Sequence, residues 1–397
     1  MRRFVVLAPN RWHGVWMNRQ QIFSRLAHRH FVLYSRGALN LRQRPEALPA
    51  GSQSVARPGA VLVDEPPSAL RRVPRLATWD RFVIRRTSRR WRRLAGPPEA
   101  GPLTAYVFHP KFWPYIDELN PDHLVYHAYD LFERTRGWSE KLDLFQRRLC
   151  QRAHLVVSSS QTIADVLERN YGRASTVIAN GVDYEAFVMA ADSAGPDPAE
   201  LAAIPRPRIG YTGALSRKLD FGLIATLAQR RPQWQFVFMG EVHSLDGPSI
   251  TAMAAARAQP NVHFLAAKPR EGVPAHVCAM DVNIMCYRLS ADLWIEGIYP
   301  LKLHEYLATG RPIVSADVPS VRPFADVVAI ARGADQWERA LESALSSGEP
   351  GTPTGRRQVA EANSWSVRVH QLEVELAALT SSTRMREQVA SDSLARI

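Results

Sequence analysis

Residues 298–317 read IYPLKLHEYLATGRPIVSAD, and the punctuation of this stretch decides how the second half of the chain folds. Proline suits the first turn of a helix, where its missing N–H is not needed, and glycine followed by proline ends one. Pro300 therefore opens a helix over 300–309, and Gly310-Arg311-Pro312 stops it. The apolar run Ile313 to Ser315 then reads as a short buried strand. A helix delivered so directly onto a strand is a unit of a parallel α/β sheet. Lys302 and Glu305, at the exposed start of that helix, are charges the fold itself does not require.

The same alternation runs outward in both directions. Strands are expected at 208–213, 235–240, 261–266, 282–287, 312–317 and 327–331, with helices at 219–230, 249–258, 271–280, 300–309 and 335–347. The first half repeats the pattern, with strands at 4–8, 31–35, 61–63, 105–108, 123–127, 154–158 and 175–178. A chain of 397 residues is too long for one ordinary core. The expected organisation is a parallel α/β domain over 1–190, a Pro- and Ala-rich linker over 191–207, a second such domain over 208–370 and a helical tail over 371–397. In open parallel sheets, ligands sit at the carboxyl ends of the strands, so chemistry is sought in the loops that follow them.

Bulk properties narrow the class. Mean hydropathy is −0.21, and no apolar run approaches the ~20 residues of a membrane span. The opening apolar run of MRRFVVLAPNRW is shorter than the roughly 7–15 residues of a signal-peptide core and fits a first strand. Cys150, Cys278 and Cys286 lack metal-ligand spacing and read as buried thiols in a reducing cytoplasm. The net charge of +12 is carried wholly by the first 180 residues, which hold 29 basic against 14 acidic side chains. Such asymmetry points to an anionic partner. Much of it lies in 71–96, where Leu76, Trp79, Val83, Trp91 and Leu94 fall near one helical face among arginines. Two readings stand: a helix lying on an anionic membrane, or a domain helix with solvated arginines. Aromatic platforms interleaved with the basic residues are missing, so no specific nucleic acid is expected as a partner.

The loops after the strands supply candidate site residues. Gly210 and Gly213 flank a turn that leads to Arg217 and Lys218, a combination suited to a pyrophosphate but equally to a solvated turn. The start of the 300–309 helix offers the N–H groups of Leu301, Lys302 and Leu303 to an anion, with the Lys302 charge beside them. Glu305 stands one and a half turns in, where a carboxylate accepts the hydroxyls of a ribose; a plain Lys302/Glu305 surface pair explains the same residues. In the first half, Asp130 follows the fifth strand and suits either a general base or a helix N-cap. His109 follows the fourth strand, and His13 and Gly14 follow the first. No D-x-D sequence occurs, so side-chain cations rather than a metal are expected to neutralise a diphosphate, and no cofactor is expected.

NVHFLAAKPREGVPAHVCAMDVNIMCY (261–287) followed by YPLKLHEYLATGRPIVSAD resembles the donor-binding half of family-4-type, group 1 glycosyltransferases. NSWSVRVHQLEVEL (363–376) is similar to that family's C-terminal helix, and VSSSQTIADVLERNYG and VIANGVD fit its first half more loosely. The resemblance implies the GT-B fold, two Rossmann-like domains facing across a cleft, acceptor side first and nucleotide-sugar side second. It implies a retaining transfer from a nucleoside-diphosphate sugar to a glycan or lipid-linked acceptor; the missing D-x-D fits a metal-independent one, and the basic first half fits an acceptor in the cytoplasm at the inner membrane face. Glu305 would then contact the donor ribose, Leu301 and Lys302 the diphosphate, Arg217 and Lys218 the leaving group, and the loop Lys268–Gly272 the base. Asp130 and His109 would be catalytic or position the substrates, with His13 and Gly14 on the acceptor side. The family's pair of glutamates eight residues apart is here Gly297 and Glu305, with Glu296 one place off. A sugar-nucleotide epimerase of the same architecture and a non-catalytic basic nucleotide- or nucleic-acid-binding relative are the competing readings.

Overall fold

The computed structural model describes residues 1–41, 59–64, 70–135, 137–193, 195–290 and 294–394. The chain divides into two compact units, Met1–Ala179 with Arg368–Ile397, and Asn180–Val367.

In the first unit the strands are β1 (Arg3–Leu7), β2 (Phe31–Ser35), β3 (Leu62–Asp64), β4 (Leu103–Val107), β5 (His123–Ala128), β6 (Leu155–Ser158) and β7 (Thr176–Val177). Among the described residues they form one parallel sheet in the order β3-β2-β1-β4-β5-β6-β7. The order reverses between β1 and β4, which are in register from Arg3 opposite Leu103 to Leu7 opposite Val107. All five residues of β1 are buried, as a central parallel strand covered by helices on both faces requires. Those helices are α1 (Asn18–Leu26), α2 (Ala77–Leu94), α3 (Trp113–Leu119), α4 (Glu140–Arg152) and α5 (Gln161–Tyr171). Serines start the last two: the Ser139 hydroxyl accepts from the Leu142 N–H and the Ser160 hydroxyl from the Ile163 N–H.

Helix α2 divides the stripe expected of it. Val83 and Trp91 are buried, Trp91 donating to the Asp64 carboxylate at 2.7 Å, whereas Leu76, Trp79 and Leu94 are exposed. The helix thus packs against its own sheet and still shows solvent three of the five residues.

The second unit holds β8 (Arg208–Thr212), β9 (Gln235–Met239), β10 (Val262–Leu265), β11 (Val282–Met285), β12 (Ile313–Ala316) and β13 (Ala329–Ala331). They too are parallel, in the order β10-β9-β8-β11-β12-β13, with the reversal between β8 and β11. Its helices are α6 (Tyr184–Asp192), α7 (Phe221–Arg230), α8 (Gly247–Arg257), α9 (Val273–Cys278), α10 (Leu301–Ala308), α11 (Gly333–Ser346) and α12 (Pro353–Ala362). A long helix, α13 (Trp365–Leu394), starts at the boundary and runs into the first unit's share of the chain. There Leu372 and Leu376 are buried, and Glu373 pairs with Arg29 at 2.8 Å.

Residues 191–207 differ from a free connector. Leu201 and Ile204 are buried, and Asp197 binds Arg208 at 2.6 Å, so this segment is built into the second unit. Its Pro and Ala content conceals two core side chains. All three cysteines are free; burial pushes the Cys278 thiol up to about 11 and the Cys150 thiol up to about 12.

Candidate functional site

The second unit's site grows from the turn after β8 and the start of α10. Gly213 directly follows β8 with φ +129°, a backbone conformation that side chains rarely adopt. A Cβ on it would stand 2.5 Å from the Lys302 Nζ, so the absent side chain is what lets that ammonium lie against the turn. Two tyrosines hold the juxtaposition. The Thr212 N–H donates to the Tyr306 hydroxyl at 2.9 Å, tying the end of β8 to α10. The Lys302 ammonium lies 4.9 Å from the centre of the Tyr211 ring.

Pro300 proves to be the N-cap rather than the first helical residue, with φ −63° and ψ 124°. The Leu303 N–H bonds back to the Pro300 carbonyl at 3.2 Å, which removes it from the anion-binding set expected above. Leu301 and Lys302 remain, since first-turn N–H groups have no carbonyl within the helix to receive them.

Glu305 is partly buried, and among the described residues it has no hydrogen-bond or ion-pair partner. Burial pushes its carboxyl up to about 7; Lys302 and Arg270 pull it down and Asp183 pushes it up. Lys302 in turn is lowered by burial and raised by Glu305 and Cys286. A carboxylate kept from water without a donor beside it is costly unless a ligand supplies the donors. Such perturbed groups mark functional sites more often than structural ones.

The other candidate residues are placed as follows. Lys218 sits 5.9 Å from the Tyr287 ring, and its carbonyl accepts from the Arg288 N–H at 2.8 Å. Burial raises the Tyr287 hydroxyl's pKa, with smaller contributions from Cys286 and Glu305. The Arg217 N–H reaches the Ser244 carbonyl at 3.4 Å. Lys268 is engaged elsewhere: it pairs with Glu200, holding that carboxyl down to about 2. The loop's contribution near Glu305 is Arg270, bound to Asp183 at 2.6 Å. Neither Arg270 nor Asp183 stood out in the sequence, because their pairing spans 87 positions and follows no local pattern. Gly297 is buried at the end of a short turn, Trp294–Gly297, and Glu296 is exposed.

In the first unit, Asp130 shapes a turn rather than capping a helix. Its Oδ1 accepts from the Leu131 N–H at 2.9 Å and its carbonyl from the Phe132 N–H at 3.0 Å. His109 accepts from the Lys111 N–H through Nδ1 at 3.0 Å. Burial and the charges of Lys111 and Arg19 lower its pKa to about 3, so it is neutral at working pH and poorly matched to general-base duty. His13 and Gly14 are exposed in the loop after β1. A methyl on Gly14 would meet only Arg11, at 3.6 Å, so no backbone constraint demands glycine there.

Comparison with known proteins bears on the family and the fold. Residues 206–346 match the family model described as glycosyl transferases group 1. The putative teichuronic acid biosynthesis glycosyltransferase TuaH of Bacillus subtilis (strain 168) is 29% identical over 211 residues, 50% of this chain and 51% of the relative. The alignment therefore spans about half the length of that relative. Among solved structures, Anabaena HepE in complex with UDP and glucose superposes with a TM-score of 0.66 at 15% identity, over 95% of this chain and 100% of that one. The trehalose 6-phosphate synthase of Burkholderia multivorans does so with a TM-score of 0.62 at 12% identity, over 98% of each chain.

Proposed function

We propose that the chain is a glycosyltransferase using a nucleoside-diphosphate sugar, in the first instance a UDP-sugar, because residues 206–346 match the family model of glycosyl transferases group 1 and the two parallel-sheet units share the fold of GT-B proteins. The single observation that carries this reading is Glu305, partly buried and unpartnered among the described residues, one turn from Lys302 and the Gly213 turn. The N–H groups of Leu301 and Lys302 take the diphosphate, and Glu305 accepts from the ribose hydroxyls. Lys302, Arg217 and Lys218 supply the positive charge that a metal supplies elsewhere. HepE has been crystallised with UDP and with UDP-glucose, which favours uracil as the base.

In the transfer, an acceptor hydroxyl oxygen bonds to the anomeric carbon as the carbon–oxygen bond to the diphosphate breaks. The diphosphate leaves with the electron pair. With retention, the hydroxyl proton passes to the departing phosphate oxygen, and Asp130 positions the acceptor rather than taking the proton. The acceptor is a glycan or lipid-linked glycan of the cell surface, a reading supported by the teichuronic acid role in the name of TuaH.

The exposed side of α2 supports peripheral attachment to the inner, anionic membrane face. A groove of about 880 Å³ is lined by Phe82, Arg85, Arg86, Arg89, Arg92 and Arg93, among others. Trp79 and Phe82 stand exposed on the same helix, with ring centres 5.6 Å apart. Arginines around exposed aromatics suit a headgroup layer. No helix among the described residues is long and apolar enough to cross a membrane.

Calorimetric titration of the purified protein with UDP, GDP, ADP and dTDP, without added metal, tests the donor reading. Selective binding of UDP at micromolar concentration is expected. Binding of none of the four would overturn it.

A further inference from the structure

The first unit also buries positive charge that its own residues do not neutralise. Arg19, in the first turn of α1, is completely inaccessible to solvent. It donates to the Asn10 side-chain oxygen at 2.6 Å and lies 4.5 Å from the Tyr129 ring and 5.4 Å from the Phe108 ring. Its Nε has no partner, and among the described residues no carboxylate pairs with it. An arginine cannot shed its proton to escape this cost.

Two further cations share its end of the sheet. Arg36 directly follows β2, with its Nε buried and without a hydrogen-bond partner. Lys111 follows β4, its ammonium 5.0 Å from the Phe112 ring, and among the described residues it has no carboxylate within ion-pair distance. The residues between them are contiguous. The Ala38 N–H donates to the Tyr115 hydroxyl at 3.0 Å, Tyr115 and Phe112 have ring centres 6.3 Å apart, and the Arg72 guanidinium lies 5.5 Å from the Tyr115 ring. Burial, with the charges of Arg36, Arg72 and Arg19, brings the Lys111 ammonium down to about 8.

The acids nearby are already committed. Asp80 is held by Arg72 through bonds of 2.9 and 2.7 Å, and Asp64 by Arg90 and Trp91. Asp130, beside Tyr129, accepts from the Leu131 N–H. Three cations, from α1, from the end of β2 and from beyond β4, thus lie at the carboxyl end of the sheet, near enough that Arg36 and Arg19 both act on the Lys111 charge, on the side where the strand order reverses between β1 and β4. That is where an open parallel sheet forms its crevice.

We infer that Arg19, Arg36 and Lys111 form a binding site for a phosphate group at the β1–β4 switch point of the first unit. Anion binding follows from the residues themselves, whereas naming the anion as the acceptor's phosphate rests on the transferase reading above. The acceptor would then be a sugar phosphate or a glycan carried on a lipid phosphate. Arg19, fully buried and preset by Asn10 and the two rings, adds its charge from within, while Arg36 and Lys111, only partly buried, supply the donors to the oxygens. A charge-assisted hydrogen bond is about twice as strong as a neutral one, so each of the outer two has a measurable effect.

The test is titration of the full chain, with UDP saturating so that the second unit's site cannot take the probe. Inorganic phosphate and a soluble hexose phosphate form one arm, and vesicles carrying a polyprenyl phosphate in neutral lipid form the other. Binding in either arm should weaken about tenfold in Arg36→Gln and in Lys111→Gln, while UDP affinity, measured in parallel, stays unchanged and reports that the fold is intact. Tighter binding of the hexose phosphate than of inorganic phosphate names a water-soluble acceptor, and binding confined to the vesicles names a lipid-linked one. Absence of binding in both arms, or binding equally strong in both variants, overturns the site. Failure of UDP to bind, with phosphate binding still sensitive to Arg36 and Lys111, would instead remove the donor reading and leave this site standing.

Discussion

Replacing Glu305 with glutamine should make the protein more stable and less able to hold its donor. The carboxyl is pushed by burial from an ordinary 4.5 up to about 7. Below pH 4.5 the side chain is neutral whether the protein is folded or unfolded, and it contributes nothing to pH dependence. Between 4.5 and 7 the unfolded chain ionises first, so Glu305 destabilises the fold increasingly as pH rises, and above 7 the penalty is complete. At about 1.4 kcal/mol for each pH unit separating the two values, the full penalty is about 3.5 kcal/mol, and about 2–3 kcal/mol once residual solvent contact is allowed for. Urea unfolding of wild type and Glu305→Gln should therefore coincide near pH 4.5 and diverge by that amount at pH 8, with the variant more stable. Donor affinity should move the other way. Hydrogen bonds to a charged acceptor contribute about 1.5–3 kcal/mol, so UDP-glucose should bind about 10- to 150-fold more weakly to the variant at pH 8. The wild-type affinity should fall as pH drops through 7, because the ionised form is the one that accepts from ribose; UDP-glucose has no phosphate group titrating in that range. Equal stability at pH 8 together with equal affinity would refute the assignment of Glu305 as a desolvated ligand carboxylate.

Other substitutions probe the remaining parts. Gly213→Ala forces a side chain onto a φ of +129° and into the Lys302 ammonium, so a loss of about 1–3 kcal/mol in thermal unfolding and weaker UDP binding are expected. Asp130→Asn should lower turnover at least tenfold with UDP-sugar affinity unchanged; full activity in a product-release assay would remove it from the mechanism. Changing Arg85, Arg86, Arg89 and Arg93 to glutamine should release the protein from phosphatidylglycerol vesicles in sedimentation, and retention would confine α2 to a packing role. Arg90 is left out of that set because it pairs with the buried Asp64 at 2.9 Å.

How much of this was legible in the sequence depends on whether a feature is local. The strands were readable because parallel, doubly covered strands are continuous apolar runs: RFVVL and IVSA announce β1 and β12. The places of Lys302 and Glu305 in the first turns of α10 were readable because a proline and a Gly-Arg-Pro stop fix the ends of that helix to within one residue. Arg270 with Asp183, and Arg19 with Arg36 and Lys111, could not be read: each set comes together only after the sheet forms. The pairing of Lys268 with Glu200 could not be read either, because the two lie 68 positions apart. The segment 191–207 misled because its composition is that of a linker, and two buried side chains in seventeen positions leave little periodic signal. Helix α2 supported both of its readings, since its face toward the sheet and its face toward solvent each carry a tryptophan.

The return of α13 bears on the order in which the chain is completed during synthesis. The second unit is one unbroken segment, Asn180–Val367, and can close its sheet as soon as that segment has left the ribosome. The first unit has all its described strands by Val177 but still lacks its share of α13. Its early residues Arg2 and Arg29 meet their partners, the Leu376 carbonyl and Glu373, only after nearly the whole chain has been made. The half translated first is thus the half finished last, and nascent chains stalled before residue 368 should mature from the inside outward: a protease-resistant donor half carrying an N-terminal half that is still open to cleavage.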